Sequence, residues 1–205
     1  MSWLRSVLVG QFGNPRGLLG RLAGLVMTLR PSNKERNRRT LALLEIRPAD
    51  DVLELGFGTG LAIEQAASIA TQGKVAGVDR SELMLLEASR RNAKAIHEGK
   101  VDLRLGSAER MPDFGRRFDK AFAVNVYMFW EDPVGVLRGV RSAMKGGGTL
   151  CLTLQPRHQS ATDADARKAA ERMAESLRAA GFTEVRSEIL EMEPVDSACV
   201  LGRAP

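Results

Sequence analysis

Cysteine and histidine are scarce in this 205-residue chain, and each scarcity excludes a class of protein. Two cysteines, Cys151 and Cys199, are too few for a disulfide framework in a chain of this length. Both lie in apolar runs, so we predict buried free thiols. Free thiols suit a reducing compartment, so we expect a cytoplasmic protein. The only histidines, His97 and His158, have no cysteine or second histidine at metal-ligand spacing, so no metal site is expected.

Long apolar runs are missing as well. The longest run near the start covers residues 22–29, whereas a membrane-spanning helix needs about 20 apolar residues. Gln11 interrupts the short apolar run after Arg5, so a signal peptide is not expected. With 44% hydrophobic and 27% charged residues, the chain has the composition of a globular protein, and its length suits one domain.

The net charge of +5 is concentrated near the start of the chain. Residues 1–47 contain nine Arg or Lys and two acidic residues, a balance of +7, so the remainder carries −2. We predict a helical arm over residues 1–47, which could cover a site as a lid, and a domain over residues 48–205. A basic arm can face phosphates, lipid headgroups or an anionic substrate, and a solvated helix face is the alternative.

After the arm, predicted strands and helices alternate. Strands are predicted at residues 51–55, 74–78, 101–105, 118–125 and 149–154, with helices at 61–70, 82–98 and 133–144 between most of them. Such alternation predicts a doubly wound α/β fold, with a mainly parallel sheet and helices on both faces. A further helix at 164–180, ended by Gly181, precedes two strands at 182–190 and 195–202. No helix separates these last strands, so we expect an antiparallel hairpin that completes a seven-stranded sheet.

A glycine-rich turn follows the first predicted strand, with Glu54 before Gly56, Gly58 and Gly60 at alternate positions. Glycine lets a ligand approach the backbone closely and tolerates positive φ. A dinucleotide fingerprint needs its third glycine three residues after the second, where this chain has Leu61. The spacing therefore disfavours a NAD-dependent oxidoreductase.

The acidic residue and the glycine spacing resemble motif I of the class I S-adenosylmethionine-dependent methyltransferases. Asp79 lies at the end of the second predicted strand, where its carboxylate can accept hydrogen bonds from both ribose hydroxyls; capping of the next helix is the alternative. The segment 106–112 resembles the family's adenine-lining segment, with Ser107 where the family usually has Asp. The resemblance covers residues 41–203 and implies a Rossmann-like fold with S-adenosylmethionine as cofactor. The predicted cofactor-binding residues are Glu54, Gly56, Phe57, Gly58, Thr59, Gly60, Asp79, Arg80, Ser107, Ala108, Glu109 and Asn125.

Six of the ten aromatic residues lie within residues 114–130. In the family, the stretch that follows the fourth strand borders the methionine part of the cofactor and the transferred methyl. Aromatic faces also suit a cationic sulfonium. For Tyr127 and Trp130, a pocket wall and a core position are both open. Asn125 can hold the amino acid end of the cofactor or cap the strand.

Tyr127, Trp130 and His158 are the predicted catalytic residues. His158 follows the fifth predicted strand, near the expected mouth of the site, and a solvated loop histidine is the alternative. A general base is needed only if the acceptor loses a proton as it attacks. The run at 125–128 is not the Asn-Pro-Pro-Tyr type, which argues against amino methylation of nucleic acid bases or protein glutamine.

We therefore predict methyl transfer to a small-molecule acceptor by in-line displacement, in which the enzyme mainly orients the acceptor and excludes water. One alternative is a phospholipid-directed methyltransferase that lies on a membrane surface through apolar residues of the arm. These are Trp3, Leu4, Val7, Leu8 and Phe12. A non-catalytic cofactor-binding module is another alternative. No nucleic-acid-binding module is recognised, and a monomer or homodimer is expected.

Overall fold

A computed structural model describes residues 31–205. Within this range seven strands form one sheet, in the order β3-β2-β1-β4-β5-β7-β6. The strands are β1 (Val52–Leu55), β2 (Val75–Asp79), β3 (Val101–Leu105), β4 (Phe118–Val124), β5 (Met144–Leu154), β6 (Thr183–Leu190) and β7 (Ser197–Arg203). The helices are α1 (Pro31–Leu44), α2 (Leu61–Ile69), α3 (Glu82–Arg91), α4 (Ala93–His97), α5 (Pro133–Ala143) and α6 (Asp163–Ala179), and a 3₁₀ turn covers Tyr127–Phe129.

The first five strands pair in parallel, and the last two join antiparallel. Strand β1 lies between β2 and β4, and β5 follows β4 on the same side. Strand β7 pairs antiparallel with both β5 and β6. The predicted fold, a doubly wound and mainly parallel sheet with a C-terminal hairpin, is confirmed.

Helices cover both faces of the sheet and bury an apolar core on each. On one face, Leu41 and Leu44 of α1 pack in a cluster with Val52 and Phe122. The other face carries a second cluster, to which α5 and α6 contribute Val136, Leu137, Val140, Met173 and Leu177. Helix α1, which belongs to the predicted arm, thus contributes to the core of the domain. Residues 1–30, with the apolar residues from Trp3 to Phe12, lie outside the described residues.

One predicted helix, at 82–98, is interrupted. Helix α3 ends at Arg91 and α4 starts at Ala93. The buried side chain of Asn92 donates hydrogen bonds to the carbonyl oxygens of Ala88 (2.9 Å) and Gly60 (3.1 Å). A side-chain amide that binds backbone groups competes with continuation of the helix. This contact also fastens α3 to the glycine loop.

Strand β5 begins at Met144, five residues earlier than predicted, because Met144 pairs with Phe118 ahead of a shift in register. At the other end of the fold, Gly181 follows α6 with φ +85° and donates to the carbonyl oxygen of Arg178, as expected for a helix-ending glycine. In the part of the chain that the structure covers, no helix is long and apolar enough to cross a membrane.

Candidate cofactor site and active site

The three glycines after β1 have left-handed backbones but different surroundings. Their φ angles are +73° at Gly56, +51° at Gly58 and +74° at Gly60. A Cβ at Gly56 would collide with Val126, and a Cβ at Gly60 would lie 2.7 Å from the Cβ of Ala88. A Cβ at Gly58 would meet none of the described atoms within 4 Å. Packing therefore requires glycine at the two outer positions, whereas Gly58 presents an open backbone to a ligand.

Asp79, the last residue of β2, binds this loop directly. One carboxylate oxygen accepts from the Gly58 backbone N–H at 2.8 Å, and the other accepts from the Ser81 N–H at 2.9 Å. Burial raises the pKa of Asp79, and both backbone hydrogen bonds oppose that shift. The cap of α3 is Ser81, whose hydroxyl accepts from the Met84 N–H. A carboxylate with two backbone donors still has lone pairs for the hydroxyls of a ligand.

Glu54 and Phe57 support the loop from the interior of the domain. The Glu54 side chain accepts from the backbone N–H of Ile63, in the first turn of α2. Its other oxygen, Oε2, is buried without a hydrogen-bond partner among the described residues. Burial, with Asp79 nearby, raises the pKa of Glu54 well above its usual value. Phe57 is 3% exposed and belongs to the core. Its ring is therefore used in packing, and only its backbone can contact a ligand.

The loop after β3 is fastened to the same edge. Gly106 donates from its backbone to the Asp79 carbonyl oxygen at 2.9 Å. The Ser107 hydroxyl accepts from the Arg110 N–H at 3.2 Å, which stabilises the turn that carries Ala108 and Glu109. Ser107 and Ala108 are half-buried, and Glu109 is exposed. The Ser107 hydroxyl retains its own hydrogen for a ligand acceptor.

Two predicted cofactor residues, Thr59 and Arg80, contact side chains of other segments. The Thr59 carbonyl oxygen accepts from the Arg91 side chain at 3.0 Å. The Arg80 guanidinium stands 5.8 Å from the centre of the Phe129 ring, within the range of a cation–π contact. Arg80 follows β2 and Phe129 follows β4, and β1 lies between these strands. The contact therefore joins the segments on either side of the glycine loop.

Asn125 connects the ends of β4 and β5. It has φ +56°, and its backbone N–H donates to the Thr153 carbonyl oxygen at 2.8 Å. Its side-chain oxygen accepts from the Gln155 N–H at 2.9 Å. The oxygen therefore serves as a strand cap, which leaves the side-chain N–H groups as the donors that could reach a ligand.

The structure brings Tyr127 and Trp130 together but holds His158 on a separate loop. The Tyr127 and Trp130 rings meet edge-to-face, with centroids 5.6 Å apart. The Tyr127 hydroxyl is directed at α6, where it bonds to the Ser176 hydroxyl at 2.9 Å and to the Arg172 carbonyl oxygen at 3.3 Å. His158 follows β5; its ring is 57% exposed and lies 3.7 Å from the Asp165 carboxylate.

Sequence reasoning missed Arg36 and Gln155, two buried polar residues at this edge. Arg36 of α1 is 4% exposed and donates to the Gln155 side-chain oxygen at 2.7 Å. Arg36 lies one turn before Thr40 and two turns before Leu44, both of which are buried. The sequence did contain a signal for the burial of Arg36, because its spacing places it on the apolar side of the helix.

The residues around the glycine loop fit the ribose of an adenosine-containing ligand. Asp79 offers acceptors for ribose hydroxyls, and Gly58 offers an open backbone. Among residues 31–205, no group of three or more His, Cys, Asp and Glu side chains could hold a metal ion.

Comparison with known proteins identifies methyltransferases as relatives of this chain. The methyltransferase-domain family matches residues 52–148. An uncharacterized methyltransferase of Bacillus subtilis, YdaC, is 30% identical over 184 residues, which is 90% of this chain and 98% of that protein. The demethylmenaquinone methyltransferase of Symbiobacterium thermophilum is 39% identical over 121 residues, covering 58% of this chain and 44% of that enzyme. This chain therefore matches less than half of that enzyme's length.

Solved structures share the fold. The N-methyltransferase NodS from Bradyrhizobium japonicum, in complex with S-adenosylhomocysteine, superposes with a TM-score of 0.69 at 19% identity, over 87% of this chain and 90% of NodS. A putative methyltransferase bound to the Haloferax volcanii activator Trm112 gives 0.72 at 16% identity, over 89% and 92%. The identity with YdaC, in contrast, is high enough and long enough to show a shared family, and this chain belongs to the class I S-adenosylmethionine-dependent methyltransferases, with S-adenosylmethionine as its cofactor.

Proposed function

We propose that this enzyme transfers the methyl group of S-adenosylmethionine to a small-molecule acceptor by in-line displacement. The observation that carries the proposal is the open Gly58 backbone after β1, with the Asp79 carboxylate at the end of β2 on one side and Asn125, which follows β4, on the other. One curated relative is, by its name, a methyltransferase of demethylmenaquinone, an organic molecule rather than a macromolecule. That relative supports a small acceptor.

In this proposal, residues on neighbouring strands hold different parts of the cofactor. Asp79 accepts from the ribose hydroxyls, the segment Ser107 to Glu109 lines the adenine, and the Asn125 amide donates to the amino acid end. Glu54 keeps the loop in shape through its hydrogen bond from the Ile63 N–H. The cofactor supplies a methyl group on a sulfonium, and the protein contributes orientation and exclusion of water. In the predicted arm, the part before α1 would assist as a lid, because α1 itself packs into the core.

The predicted catalytic residues have different parts in this proposal: Tyr127 positions Trp130, and His158 acts on the acceptor. The hydroxyl contacts of Tyr127 on α6 give it a positioning part, in which it fixes the ring of Trp130 as a wall of the acceptor pocket. His158 is the candidate base, because its ring is exposed on the loop that follows β5. Loss of methyl transfer in His158→Ala with unchanged cofactor affinity is the expected result if the acceptor loses a proton there.

The test is a labelling experiment with a calorimetric control. Purified enzyme is titrated with S-adenosylhomocysteine and with NAD, and is then incubated with methyl-tritiated S-adenosylmethionine and a bacterial metabolite extract. We expect binding of S-adenosylhomocysteine only, and label in the dialysable small-molecule fraction. The variant Gly58→Asp should give no label. Label in protein or nucleic acid instead would contradict the proposal.

The lipid-directed alternative rests on residues 1–30, and no observation within residues 31–205 favours it. A cytoplasmic location and a monomeric or homodimeric state stay predictions.

A further inference from the structure

Arg36 carries a guanidinium group into the interior beside the active-site edge. Only 4% of this residue is exposed to solvent. One terminal nitrogen donates to the Gln155 side-chain oxygen and the other to the Asn33 side-chain oxygen, each at 2.7 Å. The Nε–H is buried and has no hydrogen-bond partner among the described residues.

A second guanidinium, that of Arg157, uses the same two amide oxygens. Arg157 donates to the Gln155 side-chain oxygen at 2.7 Å and to the Asn33 oxygen at 3.2 Å. It also donates to the Ser32 hydroxyl at 3.3 Å. Two cations thus converge on neutral acceptors, with Arg36 in the inner position and Arg157 exposed to solvent.

The buried Cys199 thiol, whose pKa Arg36 helps to lower, lies near this guanidinium. Within residues 31–205 no carboxylate forms an ion pair with Arg36. Burial, followed by the nearby Arg157 charge, lowers the pKa of Arg36 to about 9. A buried cation is costly unless an anion or several hydrogen bonds compensate for its lost hydration. An oxyanion is the ligand that two converging guanidinium groups attract, because their hydrogen bonds to it are charge-assisted.

The strand order places this pair beyond the cofactor site, on the acceptor side. Asp79 ends β2 and the glycine loop follows β1, whereas Gln155 follows β5, with β4 in between. Since neighbouring strands lie about 4.8 Å apart, Gln155 is displaced by roughly 10 Å from the glycine loop across the sheet. The only strand end between them is that of β4, which carries Asn125.

We propose that Arg36 and Arg157 form a subsite that binds an oxyanion, a carboxylate or phosphate, of the methyl acceptor. This inference rests on the proposed function, because it assigns a charge to the small-molecule acceptor of the same site. Arg157 captures the anion from solvent, and Arg36 holds it from the inner side. Gln155 and Asn33 keep the two guanidinium groups at a fixed separation. The subsite selects acidic acceptors and fixes their orientation toward the end of β4.

Isothermal titration of the full-length protein, saturated with S-adenosylhomocysteine, tests the subsite with inorganic phosphate and benzoate as separate probes. We compare wild type with Arg157→Gln, Arg36→Gln and a control, Arg90→Gln. The control removes the same charge from an exposed position of α3. Wild type should bind one probe molecule per chain, and whichever probe binds more tightly identifies the oxyanion. Both site variants should weaken that binding by about tenfold or more, as expected for loss of a charge-assisted hydrogen bond. Arg90→Gln should bind as wild type does.

Arg157→Gln keeps the test valid if Arg36→Gln does not fold, because Arg157 is exposed. Absence of probe binding to the saturated wild type, or equal binding by Arg157→Gln, would overturn the inference and leave the proposed function intact. If the probe competes with S-adenosylhomocysteine, and Arg157→Gln lowers the affinity for that compound, the arginines bind the cofactor instead, and the acceptor subsite is wrong. If wild type binds no S-adenosylhomocysteine at all, the proposed function itself fails, and this inference fails with it.

Discussion

The Asp79 carboxylate accepts a hydrogen bond from the Gly58 backbone N–H, with an oxygen-to-nitrogen distance of 2.8 Å. This contact couples the acidic end of β2 to the middle glycine of the loop after β1. The side chain that would bind the ribose therefore also fixes the loop conformation before any ligand arrives. Preformed geometry of this kind reduces the ordering cost of binding.

Replacement of Asp79 by alanine should weaken cofactor binding without unfolding the protein. The change removes the acceptors for two backbone N–H groups and for the ribose hydroxyls. Since a hydrogen bond to a charged group contributes about 1.5–3 kcal/mol, we expect the dissociation constant for S-adenosylhomocysteine to rise about a hundredfold. Ser81→Ala is the matched control: it removes the cap of α3, which should cost about 1 kcal/mol of stability and leave affinity unchanged. Unchanged affinity in Asp79→Ala would assign Asp79 to the start of α3 alone.

An aspartate at position 58 should abolish cofactor binding, whereas the same residue at position 99 should not. Gly58 and Gly99 both have positive φ, and at both a Cβ would meet no described atom within 4 Å. Gly58→Asp and Gly99→Asp should each lose stability, on the order of 1–2 kcal/mol for the left-handed backbone, in urea denaturation, and repulsion from Asp79 should add to the loss in Gly58→Asp. Only the first places a carboxylate beside Asp79 and in the path of the ligand. Calorimetric titration with S-adenosylhomocysteine separates the two variants; equal affinity would move the site away from this loop.

The sheet could be predicted from the sequence because its signals are local. Alternating strand and helix patterns predict the parallel order, and the absence of a helix between the last two strands predicts the hairpin. Leu61, in place of a third dinucleotide glycine, disfavours NAD as a ligand. All of these inferences use residues that lie close together along the chain.

The missed features depend on contacts between distant residues. Asn92 interrupts a helix because it reaches the carbonyl oxygen of Gly60. The Tyr127 hydroxyl finds Ser176, 49 residues away, and Arg36 finds Gln155, 119 residues away. The local periodicity of the sequence does not identify partners that are distant along the chain. The orientation of these side chains therefore becomes known only from the fold.

The hydroxyl of Tyr127 should contribute to stability through Ser176. Tyr127→Phe and Ser176→Ala each remove one partner of the 2.9 Å hydrogen bond, so each should cost about 0.5–1.5 kcal/mol. The double variant should lose less than the sum, because both changes remove the same interaction. Urea denaturation of the four proteins measures the coupling. Additive losses would show that the two hydroxyls act independently and would restore Tyr127 as a candidate for direct proton transfer.

The buried carboxyl of Glu54 should make stability fall as pH rises. Its pKa in the folded protein is raised well above the usual 4.5, chiefly by burial, so above pH 4.5 the folded state retains a proton that the unfolded state has lost. The free energy of unfolding then decreases with pH until the folded-state pKa is passed, by up to about 1.4 kcal/mol per pH unit. Glu54→Gln, which cannot ionise, removes this dependence, and its stability relative to wild type should increase steadily above pH 4.5.

Urea denaturation of Glu54→Gln and wild type at pH 5, 6, 7 and 8 measures this difference directly. A residual slope is expected in the variant, because the pKa of Asp79 is also raised by burial. Glu64→Gln, at an exposed position of α2, is the control and should follow the wild-type slope. If wild type and Glu54→Gln run parallel across the range, Glu54 does not retain its proton in the folded state. The carboxylate would then need a donor for Oε2 other than the described residues, and a water molecule or the cofactor would have to supply it.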